Sequence, residues 1–224
     1  MTDKFNNYAN YYNKMDCLHT FNKSEMMFSL AEMHLIRSDA VMARLVSGHG
    51  SCSISEQEPN HFHTLVRSII SQQLSAKAAD TIERRICALV PVPFEPAWLL
   101  TVPVEALRNA GLSSRKAAYI YALAKSILNG HLDFNELAAY SDESVITVLT
   151  ELPGIGLWTA EMFLIFGLKR PDVLALGDSG LRRAAKMLYP DARQDGILEA
   201  ISEPWRPYRS VASWYLWKHL DVVG

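Results

Sequence analysis

The sequence predicts an all-α protein built as two helical lobes with a cleft between them. Three observations carry this. Apolar residues recur at three- and four-residue spacing, and no segment shows the strict alternation of a half-buried strand. Several of these stretches open on a Ser of the N-cap type, and one closes on Asn129-Gly130. With 224 residues and 49% hydrophobic content, the chain can bury one sizeable core or two small ones.

The elements follow in order. Residues 1–23 are rich in Asn and Tyr, lack a sustained period, and are expected to form a flexible N-terminal arm. Ser24 is placed to cap a helix running towards Val46, with Met27, Leu30, Ala31 and Leu35 at helical spacing. The segment SGHGSCSISEQEPN is a loop. In HTLVRSIISQQLSAKAADTIERRICALV, Leu65 and Ile69 form one stripe, and Ala78, Ile82 and Ile86 form another. The polar SQQLS between them predicts two helices joined by a turn near Gln73 to Ser75. PVPFEP is a linker, SSRKAAYIYALAKSILNG is a capped helix, and Asp142 to Thr150 is another helix. The expected partition puts one lobe at about residues 80–185 and the other at 24–79 plus 186–224.

Bulk properties narrow the function. The net charge is -2, so any nucleic-acid partner must be met by charge concentrated on one face. Cys17, Cys52 and Cys87 are odd in number and far apart, which excludes a disulfide framework or a metal knuckle and points to a reducing compartment. No apolar run is long enough to span a membrane, and the N-terminus lacks a signal-peptide pattern.

Two stretches carry chemistry. LPGIGLWTAEMFLIFGL, Leu152 to Leu168, places Pro153, Gly154 and Gly156 directly before an apolar helical run. A Gly turn opening a helix presents unpaired backbone N–H groups that suit an anion such as phosphate. It is equally a plain turn between two helices. In LALGDSGLRRA, Asp178 precedes a helical pattern and reads as an ordinary N-cap. A carboxylate there is favoured in its charged form by the helix dipole, so a second role is compatible with the first.

These stretches, with TLVRSIISQQLSAKAA, GLSSRKAAYI and WRPYRSVASWYLW in the same order, resemble the helix-hairpin-helix DNA glycosylase superfamily, and within it the monofunctional 3-methyladenine DNA glycosylase II branch. The resemblance runs from about His61 to His219. It implies that LPGIG is the hairpin and that the chain hydrolyses the N-glycosidic bond of alkylated purines in double-stranded damaged DNA. Gly154, Ile155 and Gly156 would contact the DNA backbone, and the carbonyls of Thr150, Leu152 and Ile155 would hold Na+ or K+. Asp178 would be the catalytic carboxylate, stabilising positive charge on the sugar and orienting water; Asp172, after Pro171, does not match the motif position. Trp158 stands where bifunctional relatives carry the Schiff-base Lys, which implies base release without strand cleavage.

The resemblance also suggests a base pocket. Trp158 shares an apolar stripe with Met162 and Phe166; the stripe is ordinary core by spacing, and a base pocket by resemblance. Trp217 matches a pocket aromatic, with Trp214 and Tyr215 as core or rim. Gln73 would fill the gap left by an extruded base, or simply end a helix in solvent. Arg115 and Lys116, with Arg182, Arg183 and Lys186, are candidate phosphate contacts or solvated charges. No cofactor is required and no iron–sulfur cluster is expected, since no Cys follows Cys87. The expected form is compact, without an N-terminal β-rich domain, monomeric, not membrane-bound and intracellular, in the nucleoid or nucleus according to source. Two alternatives stay open: a non-catalytic DNA-binding module, and a glycosylase for another lesion such as hypoxanthine or ethenoadenine.

Overall fold

The computed structural model describes residues 23–55, 60–189 and 196–223. The expected arm lies outside them except for Lys23, which begins the first helix rather than ending an arm. Among the described residues every regular element is helical, and no helix is long and apolar enough to cross a membrane.

The expected long first helix is two helices, α1 (Lys23–Ser38) and α2 (Ala40–His49). Asp39 breaks it by taking extended backbone (φ −148°, ψ 121°) and accepting from the Val41 and Met42 N–H groups at 2.7 and 3.2 Å. Its other oxygen accepts from the Tyr189 hydroxyl (2.7 Å) and the Trp205 indole (2.8 Å). One carboxylate thus caps α2 and ties it to two distant segments. Of the predicted stripe, Ala31 and Leu35 are fully buried while Leu30 is exposed.

The next pair matches the sequence pattern: α3 (His61–Ser71), capped by Asn60, then a turn at 72–75, then α4 (Ala76–Cys87), capped by Ser75. Two six-residue helices follow, α5 (Pro96–Thr101) and α6 (Val104–Asn109). The sequence pattern does not announce them, because six residues hold too little of a 3.6-residue period to register. Ser113 caps α7 (Ser114–Leu128), which ends at Asn129-Gly130 as its sequence indicates. After the short α8 (Phe134–Ala139), α9 (Asp142–Thr150) and α10 (Leu157–Met162) flank the Gly turn, and α10 runs on into a π-helical turn at Phe163–Gly167. The chain closes with α11 (Ser179–Leu188), α12 (Ile197–Ser202) and α13 (Arg209–Val223).

Packing sorts these helices into two groups. Helix α3 packs on α4, α7, α10 and the π turn, so it belongs with the hairpin. Helix α11 packs on α13, which packs in turn on α2 and α1. The expected boundaries are corrected accordingly: 60–79 join the hairpin group, and α11 joins the terminal helices. One contact that holds α3 to the hairpin group lies at its end. The Lys116 ammonium of α7 donates to the Ile70 and Gln72 carbonyls at 2.7 and 2.6 Å, meeting the unpaired carbonyls and negative dipole end of α3.

Candidate active site

A cleft of about 1980 Å³ is lined by residues of both packing groups. Asp178 stands in its wall. Its backbone ends an irregular segment and starts α11, and its Oδ1 accepts from the Leu181 N–H at 2.7 Å, so the N-cap reading of the sequence is correct. Two indoles complete its surroundings: Trp158 Nε1 donates to Oδ2 at 2.7 Å and Trp217 Nε1 donates to Oδ1 at 3.0 Å. Three N–H donors therefore face a group that, ionised, only accepts. They occupy three of about four acceptor positions and leave one, on Oδ2, for another partner. Asp178 is 8% exposed, and it lines the cleft.

Gly180 makes this closeness possible. A Cβ there would stand 3.0 Å from Asp178 Oδ1 and 3.3 Å from the Trp217 ring. Asp172 plays no part in the cleft: Arg209 Nε at 2.7 Å and Arg206 Nη1 at 3.0 Å engage its carboxylate.

The aromatic wall is Trp158, Trp217 and Phe166, with buried Met162 and half-buried Trp214 also lining the cleft. The Phe166 and Trp217 rings lie 5.7 Å apart at 35°. Trp158 packs on the core, as its spacing indicates, and it also lines the cleft and holds the carboxylate.

At the hairpin, Gly154 has φ +83°, which a side chain rarely adopts. A Cβ there would also fall 2.0 Å from the Tyr119 ring. Gly156 is different, with φ −102° and nothing within 4 Å of its Cβ position. Among the described residues, the N–H groups of Gly154 and Gly156 donate no hydrogen bond, and both glycines line the cleft. The Thr150 and Ile155 carbonyls likewise accept no backbone bond, while Leu152 O accepts from Ile155 N at 3.1 Å. Neutral carbonyl oxygens of this kind fit a hard monovalent cation.

The turn after α3 holds a residue that the sequence did not single out. Gln72 Nε2 donates to Gly154 O at 2.8 Å and Thr159 Oγ1 at 2.9 Å, binding this turn to the hairpin. No local signal separates Gln72 from Gln73, which has a positive φ (58°). Gln73 and the neighbouring Leu74 are exposed and line the cleft. Arg115 is exposed on the same wall. Lys116 also lines the cleft, but two of its three donors serve α3, and burial pushes its ammonium down from the usual range.

Glu161, also not singled out by the sequence, is 9% exposed. Burial, then the charge of Asp178, pushes its carboxyl up to about 7 from 4.5. Below pH 4.5 it is protonated both folded and unfolded and costs nothing. From there to about pH 7 only the unfolded chain ionises, so stability falls as pH rises and then levels off. Glu161→Gln is expected to gain on wild type over that window, by roughly 1–3 kcal/mol at the plateau after allowing for solvent screening. Denaturant melts at several pH values check this, and a stability difference independent of pH would refute it.

Comparisons with known proteins agree on one family. Residues 66–207 match the family described as HhH-GPD superfamily base excision DNA repair protein. The chain is 35% identical over 210 residues to DNA-3-methyladenine glycosylase 1 of Schizosaccharomyces pombe, covering 88% of this chain and 90% of that protein. It is similar to the crystal structure of a DNA-3-methyladenine glycosidase from Bacillus halodurans, with 43% identity, TM-score 0.65, and 84% and 88% of the two chains covered. It is also similar to the Schizosaccharomyces pombe 3-methyladenine DNA glycosylase in complex with abasic DNA, with 32% identity, TM-score 0.76, and 85% and 96% covered.

Proposed function

The chain belongs to the HhH-GPD superfamily of base excision DNA repair proteins, and from that premise we infer how its own residues perform base excision. It is a DNA glycosylase that hydrolyses the N-glycosidic bond of alkylated purines of the 3-methyladenine type, acting on damaged DNA. The observation that supports the residue-level reading is the Asp178 carboxylate, gripped by three N–H donors with one acceptor position facing the cleft.

A purine must leave the duplex stack to reach this carboxylate. As its glycosidic bond lengthens, positive charge grows on the deoxyribose, as in other glycosyl transfers. A fixed anion beside the sugar favours that state over the ground state. The free position on Oδ2 can also accept a proton from the attacking water, which adds to the sugar carbon as the base departs. The indole faces of Trp158 and Trp217 suit a cationic methylated purine, each contributing about 0.5–2 kcal/mol. That charge already makes the base a good leaving group, so the cleft needs no strong acid. Gly154 and Gly156 N–H groups would hold a phosphate, and a Na+ or K+ on Thr150, Leu152 and Ile155 carbonyls would add a neutralising charge there. Gln73, with Leu74 beside it, would occupy the vacated stack. With Trp158 in place of a Lys, the product is an intact strand carrying an abasic site. The setting is wherever genomic DNA is kept.

The test is product analysis on a duplex with one 3-methyladenine-type lesion. Free base and an abasic strand that breaks only after alkali treatment are expected. Strand cleavage without alkali would contradict hydrolysis alone, and binding without base release would favour a non-catalytic module.

A further inference from the structure

Two turns meet at the cleft: residues 72–75, which follow α3, and residues 154–156 of the hairpin. One side chain joins them. Gln72 Nε2 donates to Gly154 O at 2.8 Å and to the buried Thr159 Oγ1 at 2.9 Å. The oxygen it holds belongs to the 154–155 peptide, whose own N–H donates to Leu152 O at 3.1 Å. That peptide is therefore pinned at both ends, and it lies between the N–H groups of Gly154 and Gly156 that face the cleft without a partner among the described residues. Gln72 is pinned in turn. Lys116 Nζ, on the 15-residue helix α7, donates to its carbonyl at 2.6 Å and to that of Ile70 at 2.7 Å. On the other side of Gln72 stands Gln73, at φ 58°. A non-Gly residue keeps such backbone only where its surroundings hold it. Here the Leu74 N–H closes the turn onto Ser71 O at 3.1 Å, and Gln73 and Leu74 are left exposed in the cleft.

We propose that Gln72, anchored by Lys116, is a positioning residue that sets the register between the hairpin and the 73–74 turn, so that the turn enters the duplex at the nucleotide whose backbone the hairpin holds. Extruding one nucleotide needs two grips on the same DNA, one on the backbone and one in the stack. If the two turns moved independently, ordering them would be taken out of the binding energy on every encounter. The amide of Gln72 does that ordering in advance. A shift of about 1 Å between two such groups can cost about 10²-fold in rate. The proposal rests on the reading that the chain extrudes a purine from DNA.

The test compares wild type, Gln72→Leu, Thr159→Val and Thr159→Ser. Gln72→Leu removes both bonds, Thr159→Val removes one, and Thr159→Ser keeps both. Two ratios are read. The first is affinity for abasic over undamaged duplex. The second is single-turnover base release from a paired 3-methyladenine-type lesion over the same lesion mispaired, where extrusion costs less. Gln72→Leu is expected to lower both ratios by about tenfold or more, Thr159→Val by less, and Thr159→Ser not at all. A loss of folded protein scales both members of each ratio alike and moves neither ratio. Thr159→Val, which keeps the Gly154 bond, carries the test if Gln72→Leu does not fold. Ratios unchanged in these variants overturn the proposal. Lys116→Met should also lower the ratios, without adding to the loss in Gln72→Leu, and additive losses would overturn its role as anchor. Base release by wild type is scored separately: an affinity ratio that falls in Gln72→Leu while wild type releases no base refutes the glycosylase reading and leaves the coupling standing.

Discussion

Asp178→Asn is expected to slow base release by about 10²–10⁴-fold, as for loss of a positioned base or of one strongly oriented electrostatic group. The substitution removes the charge but keeps the shape. If the Asn carbonyl takes the Oδ1 position, it still accepts from Leu181 N–H and Trp217, so α11 stays capped. Its amide nitrogen then faces Trp158 Nε1, which sits 2.7 Å from Oδ2 in the wild type. Two donors cannot share that contact, and the mismatch should cost about 1–3 kcal/mol of stability. Trp158→Phe removes one of the donors. Asp178→Asn should therefore cost less stability in a Trp158→Phe background, while its effect on rate persists. Single-turnover base release and denaturant melts on the four proteins of this cycle separate the two effects. Turnover of Asp178→Asn within about tenfold of wild type would remove the carboxylate from the mechanism.

Gly154→Ala should cost about 2–4 kcal/mol of stability and weaken duplex binding by about tenfold or more. A non-Gly residue at φ +83° pays about 1–2 kcal/mol, and its Cβ would displace the half-buried Tyr119 ring from 2.0 Å. The Gln72 bond to Gly154 O would shift with the turn and re-aim the N–H groups. Gly156→Ala is the contrast. Its backbone is ordinary and its Cβ would point into open space. Stability should be nearly unchanged, while affinity is expected to fall, because the added methyl would stand where the proposed phosphate would approach. Equal stability losses in the two variants would contradict this division of labour. The two glycines look alike in LPGIG, yet the fold requires a glycine only at Gly154, and at Gly156 only a ligand would.

Local features were readable in the sequence because their physics is local. Ser75, Ser113 and Asp178 cap helices through bonds to residues three positions on, and α9 starts and stops where its residues indicate. Asp39 shows the limit: its cap chemistry was present, but an unbroken apolar period over Ser24–Val46 masked it. Lys116 shows another, since a charge on a helix face reads as available until a neighbouring helix end claims it.

What the residues alone determined is the set of parts: helices, a Gly turn able to offer N–H groups, and an Asp at a helix start. Only the tertiary structure decided which parts meet. Trp158 and Trp217 reach Asp178 across 20 and 39 positions of chain, and Gln72 reaches Gly154 across 82. Burial of Glu161 beside that carboxylate belongs to the same class. Such contacts depend on how whole helix faces pack, and no periodicity or short motif encodes that.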